Sequence, residues 1–187
     1  MFEAITNWDL GVLDAIQSGF LKNGFFDKLM PIITMFGEAY VFIIGAVFML
    51  IFKKTRKAGM MLSIALIIGL IVCNITLKPI IARTRPYDMP GKEAIVMLIK
   101  KPTDFSFPSG HSTASFEAAT VIMATNKKWG IFAVIMACLI AFSRMYLYVH
   151  YPTDVFCGIA VGIIAGILGV AIVGKFYDKL PSKIKGN

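Results

Sequence analysis

Four apolar stretches, at positions 29–52, 58–81, 129–149 and 151–175, each come close to the ~20 residues that a helix needs to cross a bilayer. Hydrocarbon offers no partner to a backbone N–H or C=O, so such a chain must satisfy its backbone within helices. The expected fold is all-α, a polytopic membrane helix bundle. With 57% hydrophobic residues and a mean hydropathy of +0.74 over 187 positions, the chain has room for a single membrane-embedded domain, 1–187.

A fifth transmembrane helix is expected at 109–126. Ser, Thr and Glu117 weaken its hydropathy, but its neighbours leave it no route except through the bundle. Ahead of the bundle, Phe2, Ile5, Trp8, Val12, Ile16 and Phe20 recur at three- or four-residue steps, with Glu3, Asp9, Asp14 and Gln17 largely elsewhere around the helix. The pattern predicts an amphipathic helix over 1–24, lying in the membrane interface or packed on the bundle. Acidic residues break this segment and no basic stretch precedes an apolar one, so it lacks the pattern of a cleavable signal peptide. Gly158, Gly162 and Gly166 form a stripe of small residues that predicts close helix packing in the last span.

The net charge of +8 lies in clusters between apolar runs, which argues against nucleic acid as a partner. Lys53, Lys54, Arg56 and Lys57, then Lys127 and Lys128, then Lys175, Lys179, Lys183 and Lys185 mark three cytoplasmic segments, including a tail at 176–187. The N-terminus and the remaining loops then face outward. Arg83, Arg85, Lys92, Lys100 and Lys101 in the loop 82–108 run against that rule, an exception that charges needed for chemistry would explain. Cys73, Cys138 and Cys157 sit in apolar segments without metal-ligand or disulfide spacing and read as packing residues.

Three short polar segments lie where apolar runs begin or end. In the first, Lys78 closes a span and Arg85 follows seven residues later, offering a point charge and a planar fork to one phosphate. In the second, Pro108, Ser109, Gly110 and His111 run from a turn into a helix. Gly110 permits close backbone approach, and the free amides of a first helical turn favour an anion. In the third, Arg144 is followed by His150, and Asp154 lies four residues beyond, a spacing that can set the carboxylate against the imidazole. A histidine oriented by an acid, faced by a second histidine and surrounded by cations suits nucleophilic phosphoryl transfer. Asn74, one helical turn before Lys78, is a candidate to position it. Glu38 is a candidate for a second phosphate, through water or a cation, or for pairing with an outer-loop arginine. Glu117 is expected to make an internal hydrogen bond.

Together these segments resemble the signature of the type 2 phosphatidic acid phosphatase superfamily of membrane lipid phosphatases. The parts are KxxxxxxRP at 78–86, PSGH at 108–111 and SRxxxxxHxxxD at 143–154, in that order and across 77 of the 187 residues. The resemblance implies that His150 is a nucleophile forming a phosphohistidine, that Asp154 polarises it, and that His111 is the general acid and later the base. It implies that Lys78, Arg85, Arg144, Ser109 and the Gly110 amide hold the phosphoryl oxygens. No metal and no cofactor is implied, in keeping with a chain that has no carboxylate cluster. The short chain, without a sixth span, resembles compact bacterial undecaprenyl pyrophosphate phosphatases. The expected substrate is therefore undecaprenyl pyrophosphate in the outer leaflet of the cell membrane, with an outward-facing site. Phosphatidylglycerol phosphate, phosphatidic acid and lipid A phosphates belong to the same reaction class. A silent lipid-phosphate binder would be expected to lose a histidine, and both are present. A lipid transporter would be expected to show an inverted repeat and broken helices, neither of which is legible in the sequence.

Overall fold

The structure, a computed structural model, describes residues 2–179 and 181. Of the expected cytoplasmic tail, Lys183 and Lys185 lie outside the described residues. Among the described residues eight α-helices follow one another: α1 (Phe2–Ser18), α2 (Gly24–Met35), α3 (Ala39–Ile51), α4 (Arg56–Gly69), α5 (Lys78–Ile81), α6 (Gly110–Thr125), α7 (Lys127–Tyr146) and α8 (Pro152–Phe176). The described residues contain no strand. Three helical runs among the described residues are long and apolar enough to cross a membrane: Arg56–Asp88, Lys127–Tyr146 and Pro152–Lys179.

The stretch 29–52, expected as one span, is broken. Helices α2 and α3 meet at 47°, and only as a bent pair do they pass as a fourth span. Gly37 lies at the break, where a Cβ would press on Ile140 and on the His111 ring at 2.5 and 2.8 Å. Glu38 stands at the N-cap of α3 without capping it, which leaves its carboxylate available elsewhere. The second span is one helical run, but Leu70–Leu77 widens into a π-helix between α4 and α5. Its first turn follows Gly69, whose missing side chain leaves room for the Glu117 carboxylate. Glu117 Oε1 is buried without a partner, so the expected internal hydrogen bond is not made. The wider turns change the facing of Asn74 and Lys78 relative to an α-helix.

Helix α6 has 16 residues, short of the ~20 that a bilayer requires, and it runs through the centre of the bundle against α4, α7 and α8. Its serines and threonines are tolerable there because helices, not lipid, surround them; Ser112, Thr113 and Ser115 are all buried. The stripe on α8 accounts for the close approach. Cβ atoms at Gly158 and Gly162 would strike the Ser109 and Thr113 carbonyls, and one at Gly166 would strike Thr120. Outward, Ile43, Ile44, Phe48, Ile71, Ile75, Phe132, Ile164 and Ile167 leave an apolar surface suited to acyl chains.

The N-terminal helix forms over Phe2–Ser18, with one face packed on the bundle and the other exposed. Ile5 and Trp8 remain exposed, whereas Asp9 and Leu13 are fully buried against the bundle. The polar face makes the docking bonds: the Gln17 amide donates to the Tyr146 carbonyl at 2.7 Å, and Asp14 accepts from Lys92 and from the Tyr148 hydroxyl.

Candidate active site

The three polar segments converge at one end of the bundle. Lys78 and Arg85 flank the left-handed turn at Ala82 (φ 47°), whose N–H closes α5 by donating a hydrogen bond to the Lys78 carbonyl. Between α7 and α8 the chain reverses through Tyr148, also left-handed (φ 59°), while the Val149 and His150 amides donate to the Arg144 carbonyl. A buried tyrosine in that conformation is strained. Packing and its bond to Asp14 hold it there, and the reversal carries His150 back over the end of α6.

His150 is buried between opposite charges. Arg85 Nη1 lies 3.3 Å from its Nε2, and Asp154 Oδ2 lies 3.6 Å from its Nδ1. Burial, together with the cations Arg144 and Arg85, lowers its pKa to about 4 against the pull of Asp154, so the ring is neutral at physiological pH. Asp154 Oδ1 accepts from Arg83 Nη1 at 2.7 Å; its Oδ2 accepts from the Ser106 hydroxyl and from the Tyr151 amide at 3.0 Å. The Ser109 amide donates to the Asp154 carbonyl at 3.1 Å and ties the start of α6 to the start of α8.

Lys78 and Arg85 converge on one anion, the carboxylate of Asp104. Arg85 Nη2 donates to its Oδ1 at 2.6 Å, and Lys78 Nζ pairs with its Oδ2. Burial works to raise the Asp104 pKa, yet bonds to Lys78 and Arg85 hold it down at about 2. Arg85 is further held by the Asp104 and Val149 carbonyls at 2.8 and 2.6 Å. Arg144 donates through Nη1 to Thr34 on α2 at 2.7 Å, and its buried Nε has no partner.

His111 stands in the first turn of α6, its Nε2 3.4 Å from Glu38 Oε1. Ser109 caps that helix, and its hydroxyl accepts from Ser112 Oγ at 2.9 Å. A cavity of about 780 Å³ joins Lys78, Arg85, Gly110, His111, Arg144 and His150 to an apolar wall that includes Ile43, Val47, Leu66 and Leu70. Ser109 and Asp154 are not among its lining residues; Asn74 is, near Gly110, while Lys78 takes Asp104 as its partner rather than Asn74. Among the described residues no group of three or more His, Cys, Asp or Glu side chains could hold a metal ion.

Sequence reasoning passed over several members of this end. Asp104 and Ser106 lie in the loop just ahead of Pro108 but outside all three motif segments, and Asp9 is one acid on an amphipathic helix. Arg83 counted only as an outer-loop charge; its place two residues before Arg85 was the available signal. Four of the five loop cations that run against the positive-inside pattern have partners here. Arg83 meets Asp9 and Asp154, Arg85 meets Asp104, Lys92 meets Asp14, and Lys101 lies over the Tyr87 ring.

Residues 56–178 match the family model described as the PAP2 superfamily. The chain is 36% identical over 145 residues to an undecaprenyl-diphosphatase of Sulfolobus acidocaldarius, covering 77% of this chain and 69% of that protein. It is 31% identical over 184 residues to undecaprenyl-diphosphatase BcrC of Bacillus subtilis, covering 92% and 93% of the two chains. Among solved structures, it superposes with a TM-score of 0.72 and 25% identity on a PAP2-type phosphatidylglycerolphosphate phosphatase of Bacillus subtilis, over 95% of this chain and 88% of that one. For LpxE of Aquifex aeolicus the TM-score is 0.70 and the identity 27%, over 87% and 94%. A polar site at the mouth of an apolar cavity, the complete three-part motif and these likenesses lead to one assignment: the chain belongs to the PAP2 superfamily and is a membrane lipid phosphatase.

Proposed function

We propose that the enzyme hydrolyses undecaprenyl diphosphate to the monophosphate at the outer leaflet through a phosphohistidine on His150. The observation that carries the chemistry is the His150 ring, neutral and buried, with a cation beside one nitrogen and a carboxylate facing the other. In this reading His150 Nε2 attacks the terminal phosphorus and the Nδ1 proton faces Asp154, which stabilises the imidazolium character that develops. Arg85, Lys78 and Arg144 hold the phosphoryl oxygens as their charge grows, with the Gly110 amide and the helix end that Ser109 caps. In this reading an oxygen pair of the phosphoryl group takes the place that the Asp104 carboxylate holds on Lys78 and Arg85. His111 Nε2 gives its proton to the departing lipid phosphate oxygen, then takes one from the water that cleaves the N–P bond, releasing inorganic phosphate.

Glu38 faces His111 and therefore belongs to the leaving-group side, where the inner phosphate of a diphosphate would lie. The prenyl chain would follow the apolar wall of the cavity between α3 and α4 into the bilayer. The diphosphate assignment draws its support from the two undecaprenyl-diphosphatases, one of which matches nearly end to end. Outward orientation is supported by the lysine clusters at the opposite end of the bundle, and α6 would count as a fifth, protein-sheathed span.

The test is phosphate release by the purified protein in detergent with EDTA, from undecaprenyl diphosphate, phosphatidylglycerol phosphate and phosphatidic acid side by side. Turnover led by the diphosphate is expected. A clear preference for phosphatidylglycerol phosphate would move the assignment to that lipid, and a strict requirement for added metal would overturn the mechanism.

A further inference from the structure

Asp9 is fully buried, although it sits on a helix whose Ile5 and Trp8 remain exposed. A buried carboxylate is tolerated only when charge and hydrogen bonds compensate it, and here they do. Its Oδ1 accepts from the Thr153 amide at 3.0 Å, and its Oδ2 accepts from Thr153 Oγ1 at 2.6 Å and Arg83 Nη2 at 2.7 Å. The other arm of the Arg83 fork, Nη1, reaches Thr153 Oγ1 at 2.8 Å and Asp154 Oδ1 at 2.7 Å. The guanidinium lies 3.7 Å above the Tyr151 ring, which fixes its plane. Asp154 in turn faces His150. One guanidinium is thus shared by two carboxylates, only one of which faces the histidine.

We propose that Asp9 is a positioning residue for phosphoryl transfer: acting through Arg83, it sets the orientation and charge of Asp154 and thereby the ring of His150. The physical reason is competition for a single cation. With Asp9 present, Arg83 divides its charge between two acids, and Asp154 keeps enough negative charge to stabilise an imidazolium. Without Asp9 the whole charge of Arg83 falls on Asp154, and its hold on His150 weakens. The N-terminal helix thereby becomes part of the catalytic apparatus rather than only a membrane contact. The inference rests on His150 as the nucleophile.

The same helix supplies a control. Gln17, two helical turns beyond Asp9, docks it through the Tyr146 carbonyl at 2.7 Å. Asp9→Asn and Gln17→Leu each remove a docking bond of α1, and only the first touches Arg83 and the path to His150. In full-length protein in detergent with undecaprenyl diphosphate, Asp9→Asn is expected to lower kcat about tenfold or more with KM nearly unchanged. The ring ¹⁵N signals of His150 are expected to move with it. Gln17→Leu is expected to leave kcat and those signals near wild type, even if it lowers the melting temperature equally. Equal kcat for the two variants, or unmoved His150 signals in Asp9→Asn, would overturn the proposal. Should Asp9→Asn fail to fold, Arg83→Lys, which keeps the charge but loses the fork, must show the same loss in kcat; a wild-type kcat there also overturns it. If the wild-type protein turns over no lipid phosphate, the phosphatase mechanism fails, while the His150 signals still decide the charge path.

Discussion

The two ends of the bundle are held together by different forces. At the end carrying the motifs, long-range polar bonds dominate: Arg83 to Asp9 and Asp154, Arg85 to Asp104 and Val149, Arg144 to Thr34, Tyr146 to Asp27. At the other end, the Thr55 hydroxyl donates to the Met49 carbonyl and Arg56 Nε to the Leu50 carbonyl, each six residues back. Helices there are joined by apolar packing among Ala46, Met61, Leu62, Ala65 and Val121 and by the glycine faces of α8. Apolar contact is non-directional and sets a distance between helices; a polar network also sets the angle of each side chain. Substitutions at the polar end should therefore change the chemistry, and substitutions along the packed region should change stability.

The largest expected effect is that of His150→Ala. It should remove phosphate release by about ten-thousand-fold or more and abolish any acid-labile phosphoenzyme, because on the proposed mechanism it takes away the group that attacks phosphorus. Robust turnover by that variant would end the assignment. His111→Ala comes next, with a loss of about a hundred- to a thousand-fold on a lipid phosphate and much less on a substrate with a good leaving group. Equal losses on both substrates would remove the leaving-group role from His111.

The packed region predicts a different signature. Gly162→Leu places a side chain against the Thr113 carbonyl and Phe116, so overpacking should cost about 1–3 kcal/mol and lower the thermal midpoint. The kcat of the molecules that stay folded should remain near wild type, and a kcat loss without a fall in the midpoint would blur the distinction between the two regions.

The smallest effect is in the pH response. His150 is held down to about 4, below its ordinary value of 6.5. In the unfolded chain it takes up a proton near pH 6.5 that the native site refuses until about pH 4. Its contribution to stability is therefore complete above pH 6.5 and is lost progressively as pH falls through that window. With a good leaving group, the acid limb of kcat/KM should likewise fall below pH 5 rather than at 6.5; a limb at 6.5 would show a solvated imidazole.

Much of this arrangement was legible because it is local. The apolar runs predict helices, and the glycines of α8 mark a close-packed face. The spacing from His150 to Asp154 is that of a helix start, and these signals reside in a few neighbouring residues. The partners of those residues were not legible. Asp104 meets Lys78 across 26 positions and Asp9 meets Arg83 across 74, and no periodicity reports such pairs. Asp9 matches the polar face of an amphipathic helix whether that face meets water or a buried arginine. The break at Gly37 and the π-helix at Leu70–Leu77 were hidden for a related reason. An apolar run shows that a segment is buried in lipid or protein, not where its axis bends.

The sequence by itself determined an all-helical membrane chain, the order of its polar motifs and the kind of chemistry those residue types support, since each depends on side-chain identity and short-range spacing. Tertiary structure alone decided that Asp104 bridges Lys78 and Arg85, that Glu38 faces His111, and that the N-terminal helix reaches Asp154 through Arg83. A charge removed from water must find its counter-charge wherever packing brings one, and packing is a property of the whole bundle.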